Sequence, residues 1–409
     1  MKRAKRRARS AVCVAVIGCT AAGIASAQMA VPQTRKEDDG PLDVSLSQDI
    51  TYDTNPYRLG DGVAPPGRTD TGERSDWISV TGLRVDYDRD FDGHRLGFVA
   101  APSLVRYARF DQLDHTRQRY DLSWSVRPLQ RAEVGLRYQH LNYLADLADQ
   151  RTQEKNMVTS DTLGLDTVFG TNARWQIVGG ANAARYRNES DLQKSGDRDG
   201  WEANLGVRQQ SRAGNWVDLR GRHADYRFPN RAASILSDSG YEQDAVELGW
   251  NWAFAGHSRL SGKFGYQWRE HDTYDIRDFK GWYGNASYLW RSGGPSAVRL
   301  DIYRQIGEVS DASASYAKTT GIRAIYDWSP GPKLTLSPSI DWRWRDYLGV
   351  GTLSRGNEDT LTARLSANYQ ISPSLRLTGG VGNESRRADQ SRSAYSATFV
   401  NALLNWQVY

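Results

Sequence analysis

The chain has 409 residues, 39% of them hydrophobic, 25% charged and 11% aromatic, with 14 Trp, 21 Tyr and 2 Cys. No stretch reaches the roughly 18 to 20 consecutive apolar residues of a helical membrane span, and rings spread along the whole length argue against a disordered chain despite a mean hydropathy of −0.66. The net charge of +5 does not make a nucleic-acid binder: Lys2, Arg3, Lys5, Arg6, Arg7 and Arg9 carry six positive charges, so +5 less 6 leaves the remainder at −1, without the basic face that phosphate binding needs.

Those six cations lead into an apolar run, 11–24, and then Ala25-Ser26-Ala27 ahead of Gln28. A cationic start, a short apolar core and an A-x-A site are the parts of a secretory signal, so residues 1–27 read as a signal peptide for the Sec pathway. Cys19, after Val16-Ile17-Gly18, loosely matches a lipidation box, but the A-x-A site is better formed. Cleavage there removes Cys13 and Cys19, leaving no thiol to mispair in an oxidising periplasm. Residues 28–41, polar with two prolines, read as a flexible periplasmic lead-in.

From Leu42 onward, segments of about 10 to 14 residues alternate apolar and polar, the period-2 signature of a strand with one greasy and one wet face. In chain order, Tyr120, Leu122, Trp124 and Val126 oppose Arg119, Asp121, Ser123 and Ser125. Trp201, Ala203, Leu205 and Val207 oppose Glu202, Asn204 and Arg208; Val246, Leu248, Trp250, Trp252 and Phe254 share a face, as do Leu260, Phe264, Tyr266 and Trp268. Val298, Leu300 and Ile302 oppose Arg299 and Asp301, and Leu334, Leu336, Pro338, Ile340, Trp342 and Trp344 oppose Asp341, Arg343 and Arg345. The last segment sets Val400, Ala402, Leu404, Trp406 and Val408 against Asn401, Asn405 and Gln407, one residue out of phase with the terminal aromatic Tyr409.

Connections alternate between short turns and long charged loops. The turns fall near residues 90–93, 127–131, 169–173, 211–215, 255–258, 292–296, 329–333 and 372–374. The loops fall near 53–75, 110–117, 146–156, 188–199, 229–241, 270–280, 307–316, 347–357 and 386–394. That count predicts 18 strands, with 16 as the alternative, over residues 42–409. A soluble sandwich would hide its apolar face and seldom reaches this strand number. Tryptophans concentrated on the apolar faces, together with an export signal, point to a transmembrane antiparallel β-barrel of the outer membrane, with short periplasmic turns and longer extracellular loops. It must close, because an open edge in lipid leaves backbone groups unpaired. Pro102 and Pro338 fall inside predicted strands, where bulges or strand ends are expected. The first outer loop, 53–75, is the best candidate for a plug or lid.

Asp88, Asp90, Asp92 and Gly93 match the first half of a calcium loop, but the twelfth position is Val99 instead of a bidentate Glu, so a solvated turn is the better reading. The six histidines form no zinc-spaced pair, and no metal or cofactor is expected. His140 or His223 would serve as a base in a barrel enzyme only if a nucleophile faced it. The wet face carries Arg119, Arg137, Arg208, Arg220, Arg222, Arg323, Arg343, Arg345 and Arg376 among Asp121, Glu133, Glu202, Asp218 and Asp341. These residues suit either a lumen of mutually paired charges or a corridor for a polyhydroxylated or anionic chain.

The first strand ends in Tyr52-Asp53-Thr54-Asn55 and is followed by Tyr57 and Arg58. A Tyr-Asp-x-Asn ending, then an aromatic and an arginine, resembles the opening of the outer-membrane barrel proteins encoded in exopolysaccharide loci, the EpsL-like group within the broader β-barrel porin class. The resemblance implies passage or assembly of exopolysaccharide across the outer membrane, with outer-membrane lipid, the polymer and export-machinery proteins as partners, and it brings no catalytic residue. The alternatives are a general diffusion porin for small solutes and an envelope-modifying barrel enzyme.

Overall fold

The computed structural model describes residues 40–66, 72–149, 153–171, 173–235, 237–254, 256–307, 316–348, 356–389 and 394–408. The expected signal peptide, both cysteines, nearly all of the expected lead-in and Tyr409 lie outside them. No described helix is long and apolar enough to cross a membrane.

Eighteen strands run in chain order: β1 (Leu42–Asp53), β2 (Asp76–Phe91), β3 in two pieces (His94–Ala100 and Ser103–Tyr107), β4 (His115–Leu129), β5 (Ala132–Leu144), β6 (Met157–Phe169), β7 (Trp175–Asn188), β8 (Arg198–Gln210), β9 (Trp216–Arg227), β10 (Gly240–Phe254), β11 (Ser258–His271), β12 (Phe279–Arg291), β13 (Ser296–Gly307), β14 (Tyr316–Gly331), β15 (Leu334–Leu348), β16 (Asn357–Ser372), β17 (Leu375–Ala388) and β18 (Tyr395–Gln407). Each pairs antiparallel with its neighbours, and β1 pairs with β18 from Ser45↔Gln407 to Asp53↔Phe399, which closes the sheet into a barrel. Closure removes the free edges that lipid would penalise.

The period-2 pattern sorts side chains as a two-sided wall requires. Leu205, Ile302, Ile340, Trp342 and Leu404 lie on the outer face with 41–66% of their surface exposed, available to lipid. Trp175, Trp252, Trp290, Trp328 and Trp406 sit outward near the short turns, and Trp77, Trp201, Trp268 and Trp282 nearer the long loops, as two interfacial girdles. Trp216 faces inward instead, with the Arg208 guanidinium 4.0 Å from its ring centre. The short turns fall where expected; at the first, Asp92 and Gly93 adopt φ of 43° and 80°, the left-handed pair of a tight hairpin turn, while Arg95 takes the Asp88 carboxylate at 2.5 Å.

The two prolines behave differently. Ala101-Pro102 divides β3, although both pieces pair with β2 and β4 and the Pro102 carbonyl still accepts from Leu83 N–H at 3.1 Å. Pro338 neither ends nor bulges its strand. It keeps its partner Leu365 on β16, and the ladder toward β14 pairs Ser339 and Leu336 but passes over Pro338. A missing donor is tolerated there because it interrupts one ladder only.

Candidate functional site

The lumen is lined by the polar residues of the alternation. On one wall Arg208 and Arg220 both reach Asp218, at 2.7 and 2.8 Å, and Arg222 lies between Glu202 at 3.2 Å and Glu247 at 3.5 Å. Glu247 also takes Lys263 at 3.2 Å and the Tyr283 hydroxyl. Farther round the wall, Arg323 and Arg343 share Asp341, at 2.7 and 3.3 Å. Arg119 pairs with Asp121 at 2.6 Å, which also accepts from Gln139, and Arg376 donates to Gln370. Arg137 is half-buried on the same inner face of β5, and no ion pair is recorded for it among the described residues. The expected arginines are therefore mostly tied to neighbouring carboxylates, which holds their guanidinium planes in place and shapes the field across the channel.

His140 and His223 are not in this lumen. They stand on the outer face, where His140 Nδ1 meets Asp161 at 2.8 Å and His223 Nδ1 meets Asp244 at 2.8 Å.

The Asp53–Arg58 motif builds a loop anchor. Asp53 Oδ1 accepts from Asn55 N–H at 2.8 Å, Asn55 bonds Leu59 through both its amide atoms at 2.9 Å, and Arg58 turns back at φ 55° to reach Asp53 at 2.8 Å and Glu384 of β17 at 3.1 Å. Burial opposes the charge on Arg58, but Asp53 and then Glu384 outweigh it and raise its pKa. Tyr57 is 2% exposed, edge-on to Phe110 at 5.0 Å and hydrogen-bonded by Gln112 at 2.8 Å; burial raises its phenol pKa. Tyr57 and Leu59 of the first long loop, Phe110 and Leu113 of the second and Leu147 of the third form one small apolar core. Three loops thus fold together at the long-loop end, the extracellular end in barrels of this kind.

The first loop was expected to be the plug. It contributes the anchor, but the third loop crosses the lumen. Asp149 Oδ1 accepts from Arg345 at 2.9 Å and from Arg386 at 3.1 Å, and the Ala148 carbonyl takes Arg386 at 2.9 Å. Those arginines stand on β15 and β17, on the far side of the ring from β5 and β6, which carry the loop. Arg386 is held by Thr360 and by Glu358 at 3.6 Å, and Glu358 accepts from Tyr347. Asp149, Glu358, Arg386, Glu247 and Glu384 are not singled out by the sequence; Asp149 is signalled only by a charged, Leu-bearing loop after an alternating strand, and the other four only by their polar positions in β10, β16 and β17.

Asp146 sits beside this contact with its carboxyl pushed up, first by burial and then by Asp149. An acid whose pKa rises on docking takes up a proton as the loop docks, so the contribution of Asp146 to docking is full below the ordinary 3.8 and is lost as pH rises through the raised value. Conductance across a planar bilayer should accordingly increase as pH is raised from about 4 toward neutrality, and Asp146→Asn should flatten that dependence. A wild-type profile identical to that of the variant would refute the assignment.

Among solved structures, the fold is similar to a BenF-like porin from Pseudomonas fluorescens Pf-5, at 13% identity and a TM-score of 0.49 over 91% of this chain and 99% of that one. It is also similar to Pseudomonas aeruginosa OccK2 (OpdF), at 11% identity and a TM-score of 0.50 over 90% of this chain and 98% of that one. At such identities the likeness concerns the fold. None of the curated proteins matches the chain. The family model described as "Putative beta-barrel porin 2" matches residues 42–408, the whole barrel, and the chain belongs to that family.

Proposed function

We propose that the protein is a diffusion channel for small polar solutes across the outer membrane. The observation that carries this reading is the third loop, which crosses the lumen to Arg345 and Arg386 and narrows a channel whose walls are ion-paired. A loop fastened across the bore obstructs a continuous polymer but leaves passages for small molecules. Exopolysaccharide passage, expected from the Asp53–Arg58 resemblance, therefore gives way to the porin reading. The motif residues themselves are spent on anchoring the first loop.

Purified barrel in a planar bilayer should conduct ions, with a selectivity set by the paired charges of the lumen wall. Arg343→Ala with Arg345→Ala should shift the reversal potential in a salt gradient toward cations by about 10 mV or more, while the unboiled protein keeps its folded gel mobility. Absence of conductance from a folded barrel would overturn the reading.

A further inference from the structure

Among the described residues the ladder between β12 and β13 stops short of the ends of both strands. Their ladder runs from Arg291↔Ala297 to Gly284↔Arg304 and ends there, although β12 continues to Phe279 and β13 to Gly307. Gly281, Trp282 and Tyr283 keep their partners on β11, and Gln305, Ile306 and Gly307 keep theirs on β14, so three facing positions on each side are unpaired across the seam.

The adjoining strand ends, residues 305–307 of β13 and 316–317 of β14, form a tip that rolls inward at this seam. Leu300 and Ile302 point to lipid, at 43% and 54% exposure, and Ile306 shares their face of β13, yet it is 7% exposed and packs with Ala245 and Tyr283. Tyr283 is a lumen residue, bonded to Glu247 and Arg222. Tyr316, at the start of β14, meets Phe279 of β12 at 4.5 Å between ring centres, passing over β13. The outer face of the tip therefore lies against the inner face of β10–β12, a lapped joint closed by side chains where the rest of the barrel is closed by ladder bonds.

We infer that this seam is a lateral port between the lumen and the outer leaflet, with the β13–β14 tip as its door, and that it passes anionic amphiphiles. Phe279, Tyr283, Ile306 and Tyr316 offer an apolar sleeve to an alkyl chain. Cations stand at the outer mouth: Lys280, opposite Trp268 in register, and Arg304, 3.8 Å from the ring centre of Trp282, whereas inside Arg222, 3.3 Å from the Tyr283 hydroxyl, is held between Glu202 and Glu247. Trp268 and Trp282 belong to the outer aromatic girdle, which sets the opening at the level where an acyl chain meets its headgroup. Apolar packing over three positions parts far more readily than a hydrogen-bonded ladder in lipid. The port extends the channel reading and rests on it.

The test is uptake of radiolabelled tetradecanoate and of acetate by intact porin-deficient Gram-negative cells carrying the full chain. Ala245→Cys with Ile306→Cys, oxidised, pins the tip. Tetradecanoate uptake should fall about tenfold and return on reduction, with acetate uptake unchanged. Ile306→Ala, which loosens the tip, should raise tetradecanoate uptake about threefold over wild type. Equal tetradecanoate uptake in the oxidised, reduced and Ile306→Ala forms would overturn the port, as would failure of the two cysteines to join in a folded barrel. Entry of neither solute through the wild-type protein would instead remove the channel reading on which the port rests.

Discussion

Asp149→Ala is expected to raise the single-channel conductance about two- to threefold, the largest functional effect of any single substitution in this lumen. The carboxylate accepts from Arg345 and Arg386 at once, and charge-assisted hydrogen bonds contribute about 1.5–3 kcal/mol each. Without it the two guanidiniums face each other across an empty position. Among its described residues the third loop then keeps the Ala148 carbonyl on the far wall, Leu147 in the loop core and Lys155 on the Asp114 carbonyl. A loss of that size moves a docked loop by more than tenfold in population. Asp149→Asn, which retains an acceptor oxygen without the charge, should fall between wild type and Ala. The measurement is single-channel recording combined with limited proteolysis at the 145–156 loop. Unchanged conductance with an uncut loop would mean that the loop is held by its apolar base alone.

Arg58→Ala should bring the largest loss of stability. Arg58 is the shared counter-ion of Asp53 and Glu384, whose side chains are 8% and 12% exposed. Removing one partner from a buried ion pair costs about 3–5 kcal/mol, because the charge left behind is neither solvated nor matched. The damage should be local. The ladder from β1 to β18 is untouched, so unboiled protein should still migrate as a folded barrel, while the first loop becomes protease-sensitive and the Tyr57–Phe110 contact is lost. Arg58→Lys should recover little, since an ammonium cannot span both carboxylates with the reach of a guanidinium fork. Wild-type protease resistance of the first loop in Arg58→Ala would show that Leu59 and Tyr57 suffice to hold it.

The strands were legible because their cause is local. A wall with lipid on one side and water on the other imposes a two-residue period on every segment that crosses it, and Ile340 and Trp342 against Asp341 and Arg343 display that period without any knowledge of their neighbours. Short turns against long loops were equally readable, since Gly, Pro and Ser mark a chain that reverses within a few residues. Pro338 shows the limit of such rules: a missing donor predicts an interruption, but whether the strand bends or one ladder skips a position depends on β14 and β16.

Sequence by itself determined the barrel, its eighteen crossings and its arginine-bearing inner face, because those follow from alternation between adjacent residues. Only the tertiary structure decided what narrows the bore and where the wall yields. Asp149 and Arg345 are 196 residues apart, and Arg58 and Glu384 are 326 apart. Pairing at that separation is chosen by the closure of the ring, which brings β15 and β17 opposite the third loop. The inward roll of Ile306 is decided in the same way: its strand pattern assigns it to lipid, and the packing of Ala245 and Tyr283, contributed by other strands, draws it into the lumen.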